Sequence, residues 1–125
     1  MATILLVDDS PTVRTIVKVY LAGQAFDFIE AGNGTEALTA LQQHPVGLVI
    51  ADLNMPGMDG VTFLKTLRQS TDPKLKALPV ILLTGEKGEG IRDQGLEAGA
   101  NAFVQKPVNP ADLRQAIDSI LARAA

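Results

Sequence analysis

Four short apolar runs alternate with longer segments in this 125-residue chain, and each run ends at polar or charged residues. The runs cover residues 4–7, 46–51, 80–83 and 102–105, and they lead into Asp8-Asp9, Asp52, Thr84 and Lys106. Runs of this length are typical of buried strands in a parallel sheet. Open α/β sheets place their sites at the carboxyl ends of the strands, so we expect three carboxylates, a hydroxyl and an ammonium in one pocket.

The segments between the runs have the spacing of amphipathic helices. Ser10-Pro11 and Asn109-Pro110 each combine an N-cap with a proline at the first helical position. Apolar residues recur on one face in four segments: Val13, Ile16, Val17 and Tyr20; Ala37, Leu38 and Leu41 after an Asn33 cap; Val61, Leu64 and Leu67; Leu113, Ile117, Ile120 and Leu121. Helix-ending signals follow the first three: Gly23, His44-Pro45 and Thr71-Asp72-Pro73. With one more short strand at residues 26–29, the pattern predicts an α/β, doubly wound (βα)5 fold with a five-stranded parallel sheet and helices on both faces.

A further helical segment, residues 88–98, differs from the other four because it contains Gly88, Gly90 and Gly95. Each glycine costs about 1 kcal/mol relative to alanine inside a helix. We therefore expect this fourth helix to be the least stable of the five and a candidate moving part.

Composition limits the classes of partner and compartment. Eleven basic and fourteen acidic residues give a net charge of −3 without a basic run, so nucleic acid is not an expected partner. The chain has no cysteine, no basic segment followed by a long apolar stretch, and no apolar run near the roughly 20 residues that span a bilayer. These features predict a single-domain, soluble, cytoplasmic protein.

The acidic pocket requires a compensating positive charge. Two unit charges about 4 Å apart repel by roughly 4 kcal/mol at an effective dielectric of about 20. Lys106 is one source of positive charge, and a hard divalent cation suits several carboxylate oxygens. With no cysteine, and with His44 expected at a helix end, zinc and copper are poorly served, so Mg²⁺ is the predicted metal. A carboxylate beside Mg²⁺ and a lysine is also suited to accept a phosphoryl group.

Together these residues carry a resemblance to a known family. Asp8-Asp9, Asp52, Thr84 and Lys106-Pro107, with the loop at residues 55–60, resemble the receiver domain of two-component response regulators along the entire chain. The resemblance implies one receiver domain at residues 1–125, of the single-domain chemotaxis type. It also implies a flavodoxin-like sheet with strand order 2-1-3-4-5.

The resemblance assigns a chemical role to each pocket residue. Asp52 would be phosphorylated by a histidine kinase, a phosphotransfer protein or a small phosphodonor such as acetyl phosphate. Asp9 and Asp52 would bind Mg²⁺ directly, the backbone carbonyl of Asn54 would add a ligand, and Asp8 would act through a water molecule. Lys106 would contact the phosphoryl oxygens.

It also implies a conformational switch. Thr84 would turn inward to the phosphoryl group, and Phe103 would follow, changing an output face made of residues 88–98, the fifth strand and the last helix. Many relatives have tyrosine where this chain has Phe103, so no ring hydroxyl is available there. Asn54 and Glu86 occupy the two positions that affect the lifetime of the phosphate in this family.

Three functions remain open. The first is a stand-alone signalling switch, a monomer or weak dimer, whose output face binds a downstream protein; the position of Met1 before the first strand favours it. The second is the receiver of a longer regulator with a DNA-binding or enzymatic output. The third is a Mg²⁺-dependent phosphohydrolase, but Asn54 stands where such enzymes carry a second aspartate, so we expect at most self-phosphorylation and autodephosphorylation. The exposed face of the first helix, near Arg14 and Lys18, is where this family usually meets its kinase.

Overall fold

A five-stranded parallel sheet forms the centre of the protein. The computed structural model describes residues 2–53, 55, 57–85 and 97–124. Its strands are β1 (Ala2–Val7), β2 (Phe26–Ala31), β3 (Leu48–Asp52), β4 (Val80–Thr84) and β5 (Ala102–Gln105). They pair in parallel in the order β2-β1-β3-β4-β5, which confirms the predicted sheet and its strand order.

The helices begin where the sequence supplies caps. The described residues form α1 (Pro11–Tyr20), α2 (Gly34–Gln43), α3 (Gly60–Arg68), α4 (Pro73–Lys76) and α5 (Pro110–Ala124). The side chains of Ser10 and Asn33 accept hydrogen bonds from main-chain amides in the first turns of α1 and α2. Asn109 Oδ1 accepts one from the amide of Ala111 at 2.8 Å. The predicted caps are confirmed, because these short polar side chains satisfy amides that have no partner within the helix.

Apolar side chains pack on both faces of the sheet, as predicted. On one face, α3 buries Phe63, Leu64 and Leu67 completely or nearly so. On the other, α1 and α5 contribute a cluster that includes Val17, Leu21, Leu113, Ile117 and Ile120. All residues of β3 and β4 are buried, as expected for central strands covered twice. Each fully buried leucine or isoleucine stabilises the fold by about 1.5–3 kcal/mol.

Some local features differ from the sequence predictions. Ile16 was expected on the buried face of α1, yet 37% of it is exposed, while Leu21 just beyond the helix is fully buried. The amide of Leu21 donates to the carbonyl of Val17, one helical turn earlier, so Leu21 continues the buried stripe that Val17 belongs to. Asp72 and Pro73 break the third helix as predicted, but they also start the one-turn helix α4, in which Asp72 is the N-cap.

The fourth helical segment, predicted at residues 88–98, lies outside the described residues except at its end. Next to that end, Arg68 of α3 donates hydrogen bonds to the carbonyls of Gly99 at 2.8 and 3.1 Å and of Leu78 at 2.7 Å. Its Nη2 also donates to Asn101 Oδ1 at 3.0 Å. Burial lowers the pKa of Arg68, and the carbonyl oxygens accept from its guanidinium. Arg68 therefore joins α3 to the segments that lead into β4 and β5.

The start of α3 is held against the end of β3. The amide of Gly60 donates to the carbonyl of Leu53 at 2.9 Å. A side chain at Gly60 would have no space, since its Cβ would lie 2.6 Å from the carbonyl oxygen of Asp52. The main chains of Gly60 and Asp52 are therefore in close contact, so the start of α3 constrains the position of Asp52. Within the described part of the chain, every helix is too short or too polar to cross a lipid bilayer.

Candidate phosphoryl-acceptor and metal site

Polar residues from four adjacent strands meet at the carboxyl edge of the sheet. Asp52 and Thr84 are the last residues of β3 and β4, whereas Asp8 and Lys106 directly follow β1 and β5. Only 3% of Asp8, 4% of Asp52 and 8% of Thr84 is exposed, although the rest of the buried set is apolar. Parallel pairing brings these residues together, because all four strands end at the same edge.

Three carboxylates form a compact cluster there. One oxygen each from Asp8, Asp9 and Asp52 lies within 4.8 Å of the other two. Asp8 and Asp52 are buried and Asp9 is exposed, so the cluster has an inner wall and one member facing solvent. Ionised together without a cation, these groups would repel each other by several kcal/mol (about 3–4 per pair at an effective dielectric of about 20).

Lys106 supplies a positive charge inside the pocket. Its Nζ lies 3.0 Å from Asp52 Oδ2 and 3.4 Å from Asp8 Oδ2, with 27% of the side chain exposed. Burial by itself lowers the pKa of Lys106, but the hydrogen bond and charge of Asp52, with those of Asp8, outweigh burial and raise the pKa. The main-chain amide of Lys106 donates to the carbonyl of Thr84 at 2.7 Å, which anchors the lysine beside β4. Lys106 is therefore protonated at neutral pH and bridges two of the carboxylates.

Asp8 is held by hydrogen bonds at several atoms. Its Oδ1 accepts from the amide of Ser10 at 2.9 Å, and its own amide donates to the carbonyl of Ala31 at 3.1 Å. Burial raises the pKa of Asp8; the Ser10 amide opposes this, the charge of Asp52 adds to it, and Lys106 opposes it. The net effect is a raised pKa for Asp8, and a cation beside this carboxylate would favour its ionised form.

The chemistry of the cluster fits Mg²⁺. All three candidate ligands are carboxylate oxygens, which suit a hard divalent cation, and neither a thiolate nor an imidazole belongs to the group. Oxygens on opposite sides of octahedral Mg²⁺ are about 4.2 Å apart, from a metal–oxygen distance of about 2.1 Å. Only one pair among three ligands can be opposite, and adjacent oxygens are about 3.0 Å apart. Three oxygens up to 4.8 Å apart would therefore move closer together to bind one ion, or one of them would reach the ion through a water molecule.

Of the other predicted site residues, the structure describes Phe103. Phe103 lies on β5 opposite Leu82, half-buried against the apolar cluster on the α3 face. It also lines an open groove of about 410 Å³ between β5 and α5, with Gln105, Asp112 and Ala116 among its neighbours. Asn54 and Glu86 lie outside the described residues.

Two contributions to the site were not recognised in the sequence. Asp59 is the N-cap of α3, where its Oδ1 accepts from the amide of Thr62 at 2.7 Å; an aspartate before an apolar helical face is a signal that could have identified it. Arg14 was placed on the exposed face of the first helix, but only 17% of its side chain is exposed, and its Nη1 donates to the main-chain oxygen of Asp8. No sequence pattern distinguishes Arg14 from a solvated helical arginine.

Comparison with known proteins agrees with this geometry. The family profile of the response regulator receiver domain matches residues 4–118. The chain belongs to the response regulator receiver family. Response regulator Rre1 of Synechocystis sp. is 42% identical to this receiver domain over 122 residues, which cover 97% of this chain and 52% of that protein. Chemotaxis protein CheY-3 of Vibrio cholerae is 39% identical over 121 residues, which cover 96% of this chain and 92% of that protein.

The fold agreement extends to solved structures. The receiver domain aligns with a structure of Vibrio cholerae chemotaxis protein CheY4 at a TM-score of 0.83 and 32% identity, covering 100% of this chain and 99% of that one. The chain spans about half the length of several curated relatives that it matches. Receiver domains of two-component systems are signalling switches rather than enzymes, and they bind Mg²⁺ at an acidic pocket.

Proposed function

We propose that Asp52 accepts a phosphoryl group in the presence of Mg²⁺, and that this modification switches the receiver between two signalling states. The observation that carries the proposal is the environment of the Asp52 carboxylate. It is buried at the end of β3, with Lys106 Nζ at 3.0 Å and with oxygens of Asp8 and Asp9 within 4.8 Å. A nucleophilic carboxylate, a metal site and an ammonium thus share one pocket, which is what phosphoryl transfer requires.

In the proposed reaction, an Asp52 oxygen attacks phosphorus. A new O–P bond forms as the P–N bond of a phosphohistidine on a kinase or phosphotransfer protein breaks, and the released imidazole regains a proton from solvent. With acetyl phosphate, the P–O bond to the acetyl group breaks and acetate leaves. Lys106, already close to Asp52, neutralises charge on the transferred phosphoryl oxygens.

Asp8, Asp9 and Asp52 would hold Mg²⁺, with the backbone carbonyl of Asn54 as a further ligand. The bound ion supplies positive charge that draws the phosphoryl oxygens to the attacking carboxylate. Asp9 and Asp52 would contribute oxygens directly, and Asp8 would act through a water molecule. The Ser10 amide, which donates to Asp8 Oδ1, would help to orient the Asp8 carboxylate for this role.

Signal output would follow from Thr84 and Phe103. Thr84 ends β4 in the same pocket, and Phe103 lies across from Leu82 on the neighbouring strand. A phosphoryl group on Asp52 would draw the Thr84 hydroxyl inward as a hydrogen-bond donor, and the Phe103 ring would occupy the space that is vacated. Asn54 and Glu86 would set the lifetime of the phosphate. The output face would then bind a downstream protein, without direct contact to nucleic acid.

A second candidate has its own support. The chain spans about half the length of several curated relatives, which favours a receiver that is one part of a longer regulator. In that case the output face would contact an output domain of the same protein. The two candidates share the chemistry at Asp52 and differ only in the partner. Sequencing of the gene beyond codon 125 separates them, since a continuing reading frame excludes the stand-alone switch.

The phosphorylation step is tested by intact-protein mass spectrometry after incubation with acetyl phosphate, with Mg²⁺ or with EDTA. We expect a single phosphoryl adduct on the wild type with Mg²⁺ and none in EDTA. Asp52→Asn should fold but remain unmodified. Asp27→Asn is the matched control, since Asp27 is an exposed strand aspartate outside the pocket and its variant should behave as wild type. Stoichiometric labelling of Asp52→Asn would contradict the proposal.

A further inference from the structure

Arg14 connects α1 to the Asp8-Asp9 segment, which supplies two of the three residues of the acidic cluster. Its Nη1 donates to the main-chain oxygen of Asp8, and its Nε donates to Glu30 Oε1 of β2 at 3.1 Å. Lys18, one turn further along α1, donates to the other oxygen of Glu30 at 3.0 Å. Arg14 and Lys18 therefore share the Glu30 carboxylate. Within the described residues, only Arg14 of these two also donates to the main chain of Asp8. The hydrogen bond from Lys18 is the largest cause of the lowered pKa of Glu30; burial opposes it, and the hydrogen bond from Arg14 adds to it.

The carbonyl that Arg14 binds belongs to the peptide unit between Asp8 and Asp9. A peptide unit is planar, so holding its oxygen also constrains the direction of the Asp9 amide and the position of the Asp9 α-carbon, to which the side chain is attached. The preceding amide, that of Asp8, is already bonded to the carbonyl of Ala31 at 3.1 Å. The two bonds together hold the main chain on both sides of the Asp8 α-carbon.

Asp9 depends on this support more than the other two carboxylates do. Asp8 and Asp52 are buried and contact Lys106, whereas Asp9 is exposed and lies on a bend.

We propose that Arg14 is a positioning residue for the metal site: it orients the Asp8-Asp9 peptide so that the exposed Asp9 carboxylate stays beside Asp8 and Asp52. Arg14 acts through the main chain and touches neither the ion nor the phosphoryl group. The inference rests on the proposed function only for the role of Asp9 as a metal ligand. Arginine suits this task because its planar fork donates in two directions at once, to Asp8 and to Glu30, which a lysine ammonium does with less geometric control.

The test compares Arg14→Gln with Lys18→Gln, using Mg²⁺ alone as the probe. Both variants remove one positive charge from α1 and one partner from Glu30, but only the first removes the bond to Asp8. Amide chemical shifts measured by NMR during a Mg²⁺ titration give the dissociation constant. Loss of partners that orient metal ligands typically weakens binding by 10–100-fold, so we expect about a tenfold higher dissociation constant for Arg14→Gln. Lys18→Gln should bind Mg²⁺ as the wild type does, and Arg14→Lys should fall between.

A second readout does not depend on the metal. In the metal-free protein, Arg14→Gln should shift the Asp9 amide resonance and speed its hydrogen exchange, while Lys18→Gln should leave both unchanged. Equal Mg²⁺ affinity for the two glutamine variants, or equal weakening of both, would overturn the proposal, because surface charge alone would then explain the result. If Arg14→Gln does not fold, Arg14→Lys is judged by the same comparison. Wild-type protein that binds Mg²⁺ but accepts no phosphoryl group would contradict the proposed function and leave this inference standing.

Discussion

Replacing Lys106 by methionine removes the ammonium that bridges Asp8 and Asp52 and keeps much of the aliphatic volume. The two nitrogen–oxygen distances are 3.0 and 3.4 Å. At an effective dielectric of about 20, each attraction is worth about 5 kcal/mol before the cost of burying the ammonium. That cost and the 27% exposure of the side chain reduce the net value. Breaking a buried pair by removing one partner costs about 3–5 kcal/mol, and Lys106 belongs at the lower end, about 3 kcal/mol.

The loss should be measurable and should depend on metal. A domain of this size has a total stability of about 5–15 kcal/mol, so a deficit of about 3 kcal/mol moves the urea midpoint clearly. Mg²⁺ replaces the missing positive charge between the same carboxylates, so saturating Mg²⁺ should stabilise Lys106→Met more than it stabilises the wild type. The deficit measured in EDTA should therefore shrink when Mg²⁺ is added.

The assay is urea unfolding at pH 7 followed by far-ultraviolet circular dichroism, in EDTA and in Mg²⁺. Circular dichroism suits this chain because it has no tryptophan and one tyrosine. Lys65→Met is the matched control, since Lys65 is exposed on α3 and its loss should change stability by less than about 0.5 kcal/mol. A metal-free Lys106→Met as stable as the wild type, or a deficit that Mg²⁺ leaves unchanged, would refute the reasoning.

Three further perturbations test other parts of the site. Asp8 has a folded-state pKa above its ordinary value of 3.8, so the stability gained by protonating it is present at low pH and is lost as pH rises through the folded pKa. Metal-free Asp8→Asn, which cannot ionise, should therefore gain stability relative to the wild type as pH rises above about 4. Gly60→Ala would place a methyl 2.6 Å from the Asp52 carbonyl oxygen and should cost about 1–3 kcal/mol in urea unfolding while slowing phosphorylation. Arg68→Met would leave carbonyls such as that of Gly99 without their donors and should cost about 2–3 kcal/mol in the same assay.

Two of these predictions have a control variant in the same chain. A methyl at Gly47 would make only an ordinary 3.8 Å contact with the Thr3 carbonyl, so Gly47→Ala should leave phosphorylation unchanged. Arg114 makes one exposed bond to Tyr20, and Arg114→Met should cost much less than Arg68→Met. A flat stability difference between Asp8→Asn and the wild type across pH would contradict a raised pKa for Asp8. A Gly60→Ala protein as stable and as readily phosphorylated as the wild type would show that α3 does not constrain Asp52.

The strands and the pocket could be predicted from sequence because their signals are local. The central strands are short apolar runs buried on both faces, and each pocket residue follows such a run directly. Caps such as Ser10 and Asn33 are equally local, since the side chain bonds amides within three residues of itself. The strand order could not be predicted from local signals. Crossover rules restrict the possible sheet orders without selecting one, so the order followed from the resemblance to the receiver family.

The unpredicted features depend on distant parts of the chain. Arg68 bonds the carbonyl of Gly99, 31 residues away, and Arg14 bonds Glu30, 16 residues away. No periodicity indicates such partners. Ile16 fits the apolar stripe of α1 by spacing, yet the buried stripe runs through Val17 and Leu21, which are one helical turn apart. The helix α4 has an Asp72-Pro73 start like the Ser10-Pro11 start of α1, but its four residues are too few to show a helical period, and the same proline also predicts the end of the preceding helix.

Phosphorylation of Asp52 is tested most directly by reductive trapping. Protein treated with acetyl phosphate and Mg²⁺ is reduced with borohydride, which converts an aspartyl phosphate to homoserine, and its peptides are then sequenced by mass spectrometry. The proposed chemistry predicts homoserine at position 52 and unmodified aspartate at positions 8 and 9. Homoserine at either of those positions, or no homoserine in protein that carries the phosphoryl adduct, would contradict it.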